Sequence, residues 1–136
     1  DLERVADFAV NIAERAIDLG GSLQIECPYD IETMSHLVKA LFRMALDSLM
    51  NQDAELAHKA IKMDDDIDEM HRENFTKVKD AIRNNLDLMD GLILYLSISR
   101  YFERMGDLAT NIAEDVVYQA EGEIIRHGGI QEWQDE

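Results

Sequence analysis

Little in this sequence bends, crosslinks or spans a membrane. The 136 residues contain one Cys, one Pro and seven Gly. A single thiol, Cys27, makes no disulfide within the chain, and a reducing compartment is the simpler setting. Scarce Pro and Gly leave long stretches with nothing to interrupt a helix. No apolar run approaches the roughly 20 residues of a membrane-spanning helix, and no signal-like start is present. Positive charge is also scarce: 13 Lys and Arg stand against 29 Asp and Glu, for a formal net charge of −16. Such a surface repels phosphate backbones, which argues against nucleic acid as a partner, and it suits cations or basic protein surfaces. A Gly-rich phosphate loop, a nucleophile triad and Cys/His zinc spacing are absent too. The length suits one domain with a modest core.

What is present is a helical motif written twice, one hundred positions apart. Leu2-Glu3-Arg4-Val5-Ala6-Asp7-Phe8-Ala9-Val10-Asn11-Ile12-Ala13-Glu14 returns as Phe102-Glu103-Arg104-Met105-Gly106-Asp107-Leu108-Ala109-Thr110-Asn111-Ile112-Ala113-Glu114, with eight of thirteen positions identical. Such a repeat signals one structural unit used twice. Glu, Asp and Asn recur at four-residue steps, which stacks oxygen donors on one helix face.

Apolar periodicity predicts four helices, over about 1–19, 31–50, 54–84 and 87–127. The first is expected to bury Val5, Phe8, Ile12, Ala16 and Leu19, and to stop at Gly20-Gly21. A linker over 20–29 contains Pro28. Asp30 and Asp53 are N-caps for the second and third helices. The second presents Met34, Leu37, Val38, Leu41, Ala45 and Leu49. The third presents Ala60, Met63, Ile67, Met70, Asn74, Val78, Ala81 and Ile82, and ends at Asn84-Asn85. The fourth contains Gly91 and Gly106, the latter suited to a close helix approach, and is expected to stop at Gly128-Gly129. A flexible tail follows over 128–136, with Trp133 as a loose surface contact. Short turns between long helices make neighbours antiparallel, so the fold class is all-α, an up-down bundle of four long helices.

The third helix carries Asp64, Asp65, Asp66, Asp68, Glu69 and Glu73. Asp65, Asp66, Glu69 and Glu73 read as a solvated face. Asp64 and Asp68 differ, because each follows a core residue and flanks the apolar stripe. With the turn at about residue 86, Asp68 lies level with Glu103, and Asp64 with Asp107, to within a couple of ångströms. Four carboxylates held together repel; two like charges about 4 Å apart cost on the order of 4 kcal/mol at an effective dielectric near 20. They must take up protons, splay into water or bind a cation. An all-oxygen donor set suits hard ions such as Mg, Mn, Ca or Fe above Zn or Cu.

Other candidates rank lower. His36 falls level with Asp68 but reads as a surface histidine. Glu55-x-x-His58 has the spacing of di-iron carboxylate bundles, yet it occurs once where two are needed. Asn11 and Asn111 extend the acid rows or bond across helices, and the seven Met read as core filler.

These motifs resemble those of PhoU, a family of bacterial and archaeal regulators of phosphate uptake. The family's Glu/Asp-x-x-x-Asp motif is matched by Glu3 to Asp7 and Glu103 to Asp107, each continuing into Asn-Ile-Ala-Glu. The stretches Asn51 to Ala57, Met63 to Met70 and Glu121 to His127 also match. The resemblance implies two three-helix repeats, of which 1–19 is the last helix of an incomplete first and 30–127 a complete second. The chain then reads as a truncated piece of a longer protein. The resemblance further implies metal held by Asp64, Asp68, Glu103 and Asp107, with Glu3 and Asp7 in the partial copy, and Fe, Mn or Mg as the cation. It implies a non-catalytic regulator that restrains phosphate uptake and the phosphate-starvation response. Such a regulator links the ATPase of the Pst phosphate transporter to the PhoR histidine kinase, in the cytoplasm at the inner membrane. A homodimer or higher assembly is expected to cover the apolar face left on the first or second helix. Two other readings stand beside this one: a metal-free helical interaction module, and a PhoU-like domain of a sodium–phosphate cotransporter.

Overall fold

Apolar residues spaced three and four apart build this molecule. The computed structural model describes residues 2–21 and 25–134. Four α-helices follow one another: α1 (Leu2–Gly21), α2 (Ile31–Asn51), α3 (Ala54–Asn84) and α4 (Met89–Gln134), with a 3-10 turn at Leu86–Leu88 before α4. Among the described residues there is no strand, and the fold is an all-α bundle. Asp30 caps α2, accepting from Thr33 N at 3.1 Å, and Asp53 caps α3, accepting from Leu56 N at 3.1 Å. These bonds satisfy backbone donors that a helix start leaves orphaned. The turn between α2 and α3 places Gln52 in the left-handed region, at φ 49°.

The buried positions of α2 are Met34, Val38, Leu41, Ala45 and Ser48. On α3 they include Ala57, Ala60, Asp64, Ile67, Asn74 and Val78. Facing them, α4 buries Leu92, Ser99, Gly106, Ala109, Ala113 and Val116. These spacings are those of a left-handed coiled-coil seam. Alanines at Ala45, Ala57, Ala60, Ala109 and Ala113 let the three helices approach closely, and Met34, Leu41 and Ile67 fill the space between them. Each of these larger side chains contributes about 1.5–3 kcal/mol by leaving water. Asn74 of α3 bonds Ser99 of α4, while the earlier Asp64 meets the later Gly106, so α3 and α4 run antiparallel.

A second cluster, Tyr29, Val78 and Leu92, closes the end of the bundle near the α3–α4 turn. There the Tyr29 hydroxyl donates to Tyr95 O at 2.6 Å, and the Tyr95 hydroxyl donates to Ile25 O at 2.7 Å. Two tyrosines thus pin the segment before α2 onto α4. Helix α1 packs on α4 and, among the described residues, on no other helix.

The two clusters are separated by a polar layer. Asn74 Nδ2 donates to Ser99 Oγ at 3.1 Å and lies 3.3 Å from Met34 Sδ, and His71 Nδ1 is 2.7 Å from Ser99 Oγ. Asn74 is 2% exposed, so its bonds have no competition from water. Replacing Asn74 by Ala is expected to cost about 1–3 kcal/mol, read by urea denaturation. A loss below about 0.5 kcal/mol, the range of ordinary surface substitutions, would show that this layer does not hold the helices in register.

Several details depart from the sequence-based expectation. Ala16 is exposed, on a helix that packs on α4 alone among the described residues. Leu49 is 46% exposed, and Ser48 takes the inward position with its hydroxyl donating to Ala45 O at 2.7 Å. Helix α4 runs through Gly128-Gly129 to Gln134, and no described glycine has a positive φ, so the pair does not form the left-handed cap that ends a helix. The expected tail at 128–136 is therefore helical as far as residue 134. The side chains of Val5, Phe8, Leu19 and Trp133 lie outside the described residues.

Candidate metal centre

Asp64 occupies a seam position of α3, between Ala60 and Ile67, where most sequences place an apolar residue. Gly106 on α4 makes the room: a Cβ added there would lie 3.0 Å from Asp64 Oδ1 and 3.5 Å from Ile67 Cγ2. The carboxylate thus fills the space a side chain would have taken, and the residue is 8% exposed. Asp68, one turn on, is half-buried, and Asp107, next to Gly106, is exposed at the mouth. One carboxylate oxygen from each of Asp64, Asp68 and Asp107 lies within 4.8 Å of the other two.

Glu103 borders this group. Burial first, then the charge of Asp107 and a hydrogen bond with it, then Asp68 and Asp64, push the Glu103 carboxyl up to about 7. Burial, followed by the charges of Asp68 and Asp107, raises Asp64 to about 6, with the Thr110 hydroxyl offsetting part. Burial and Asp107 raise Asp68 as well. Asp64 Oδ1 and Asp68 Oδ1 are buried and accept no hydrogen bond. Buried acceptors without donors are costly. A proton on the cluster or a cation between its oxygens removes that cost. The residues fit a hard cation: the donors are all oxygen, their separation lets one ion touch three of them, and two point inward with nothing else to bond.

Gly106→Ala isolates this geometry. Ala is favoured over Gly in a helix by about 1 kcal/mol, so the fold is expected to hold within about that margin. The new methyl displaces Asp64 Oδ1 by a few tenths of an ångström, and metal affinity is expected to fall about tenfold, measured by calorimetric titration with Mn. Unchanged affinity would mean Asp64 takes no part.

The expected level pairing holds in part. Asp64 meets Asp107, but Asp68 also reaches Asp107, and Glu103 bonds Asp107. Asp65, Asp66, Glu69 and Glu73 are exposed, as are Glu3, Asp7, His36, Glu55 and His58. None of these belongs to an acid or histidine cluster among the described residues. Asn11 is half-buried and Asn111 exposed.

Sequence reasoning passed over His71. It is half-buried beside Ser99, and burial, then the charge of Arg100, lower its pKa while Asp107 opposes this. The signal was available. Ala57, Ala60, Asp64, Ile67, His71, Asn74 and Val78 alternate steps of three and four, so a strict seam reading puts both Asp64 and His71 inside.

Comparison with known proteins covers the same segment. The model of the PhoU domain matches residues 31–116, which include all four carboxylates of this centre. A protein of Aquifex aeolicus named phosphate-specific transport system accessory protein PhoU homolog is 40% identical over 137 residues, covering 97% of this chain and 60% of its own length. Its namesake in Pseudomonas putida is 35% identical over 136 residues, covering 96% of this chain and 51% of its own length. That of Clostridium acetobutylicum is 30% identical over 122 residues, covering 90% and 56%. The chain therefore spans a little over half the length of these relatives. No solved structure matches it. With the domain match running from α2 into α4 and taking in the whole carboxylate centre, the chain belongs to the PhoU family.

Proposed function

We propose that this chain is a metal-binding regulatory adaptor that restrains phosphate uptake and phosphate-starvation signalling without catalysing a reaction. The observation that carries the reading is the centre itself: Asp64, Asp68 and Asp107 converge, with two orphaned oxygens, inside the segment that matches the PhoU domain. A cation there ties α3 to α4 and cancels charge that otherwise pushes them apart. The relatives' names, accessory proteins of a phosphate-specific transport system, support a place beside such a transporter. Its ATPase and the PhoR histidine kinase are the partners this reading assigns, reached from the cytoplasmic side. No described helix is long and apolar enough to cross a membrane.

In the same reading α1 ends an incomplete first repeat, and residues 30–127 form the complete second one. Glu3 and Asp7 then lack the acidic row that α3 supplies to Glu103 and Asp107. Val10 on α1 and Met50 on α2 are 55% and 80% exposed, which supports a homodimer that covers them. Sedimentation at low micromolar concentration is expected to show it, and monomer alone would count against it.

Deleting the gene for this chain is expected to raise phosphate uptake and a starvation reporter in phosphate-rich medium. A wild-type copy restores repression, and a copy with Asp64→Ala and Asp107→Ala does not. Unchanged uptake and reporter in the deletion strain would refute the regulatory reading.

A further inference from the structure

The second charged feature of the molecule has the opposite sign. A pocket of about 350 Å³ on α4 is lined by Ile93, Leu96, Ser97, Arg100, Tyr101 and Arg104. Two arginines and no acid line it, in a chain whose acids outnumber Lys and Arg 29 to 13. Arg100 and Arg104 stand one turn apart, where like charges repel. Neither makes an ion pair with a described carboxylate, whereas Arg15, Arg72 and Arg83 each do. Ser97 shares their face, three residues before Arg100. Its hydroxyl makes no hydrogen bond within the described residues, although Ser48, Thr76 and Thr110 bond back to their own helices. Arg15 of α1, which is paired with Glu14, lies 5.1 Å from the centre of the Tyr101 ring, so α1 packs against a residue of this lining.

We propose that this pocket binds a phosphate-type oxyanion through Arg100, Arg104 and Ser97. The guanidinium fork matches the paired oxygens of a phosphate, and its charge never titrates away. Ile93 and Leu96 supply the apolar part of the lining. Free phosphate and the headgroup of an anionic phospholipid share this chemistry. The pocket uses none of the carboxylates of the metal centre, so it goes beyond the proposed function and does not depend on it. The carboxylate centre repels phosphate unless a cation bridges the two, whereas the arginine pocket attracts a bare oxyanion.

The test titrates inorganic phosphate into the full chain by calorimetry with EDTA present, so that phosphate bridged by a metal contributes nothing. In parallel, the chain is sedimented with phosphatidylglycerol vesicles, using phosphatidylcholine vesicles as control. Saturable binding of phosphate that weakens at least tenfold in Arg100→Gln/Arg104→Gln, but not in Lys39→Gln/Arg43→Gln on α2, supports the pocket with free phosphate as ligand. Vesicle binding with the same arginine dependence, without binding of free phosphate, supports it with a lipid headgroup as ligand. Circular dichroism of both variants verifies the fold. The proposal is overturned if neither probe binds, if binding survives in Arg100→Gln/Arg104→Gln, or if phosphate binds only when metal is restored.

Discussion

Replacing Asp64, Asp68, Glu103 and Asp107 together by Ala is expected to abolish metal-dependent stabilisation of this protein. A cation present at one hundred times its dissociation constant stabilises the native chain by about 2.7 kcal/mol. For a chain of this size that corresponds to a rise in melting temperature of roughly 10 °C. The wild type should show this rise with Mn or Fe(II), and the quadruple variant should show none. Without metal the order reverses. The variant lacks the mutually repelling carboxylates and the orphaned oxygens at Asp64 and Asp68, so its metal-free form should melt at least as high as metal-free wild type. Elemental analysis gives a second readout, since metal that co-purifies with wild type should be lost. Unchanged metal stoichiometry in the variant would place the site elsewhere.

Acidification is expected to stabilise the metal-free protein and weaken the metal-bound one. Asp64 is raised to about 6 and Glu103 to about 7, in both cases chiefly by burial. Their carboxyls in the unfolded chain titrate near 4. Between about pH 4 and pH 7 the folded protein therefore holds more protons than the unfolded one. Stability falls as pH rises through that window, and levels off above it. Water reaches both side chains and they respond to the same neighbours, so the combined loss is about 2 kcal/mol and not the full sum of the two shifts. A cation competes with those protons. Metal-dependent stabilisation should thus vanish below about pH 5 and be complete near pH 8. Urea denaturation at pH 5 and pH 8, with EDTA and with Mn, gives all four values. A metal-free protein that is more stable at pH 8 than at pH 5 would contradict the burial of Asp64 and Glu103.

Much of the bundle was legible in the sequence because its signals are local. Asp30 and Asp53 cap the helices expected of them. A place beside the apolar stripe, each following a core residue, already set Asp64 and Asp68 apart from Asp65, Asp66, Glu69 and Glu73, which are exposed in the structure. Gly106 was singled out for a close approach and provides one. The misses have one origin. Ala16 was assigned to a buried stripe and is exposed, and Gly128-Gly129 was taken as a stop where the backbone stays helical. In both cases local pattern was asked to decide how many neighbours a helix has, or whether a chain turns. His71 was overlooked because a polar residue at a seam position is recognisable only when the facing helix is known.

By itself the sequence determined four helices, the N-caps of α2 and α3, the antiparallel α3–α4 hairpin and the rows of acids along α3 and α4, since each follows from spacing, short turns and side-chain chemistry near in the chain. Tertiary structure alone decided which acids form a centre. Asp64 lost most of its water because α4 presents Gly106 opposite it, and Asp107, already one turn from Glu103 on α4, reaches Asp68 and Asp64 because the helices approach closely at that level. Repulsion among carboxylates, and the desolvation that makes a cation welcome, depend on distances across helices, and local spacing does not encode those distances.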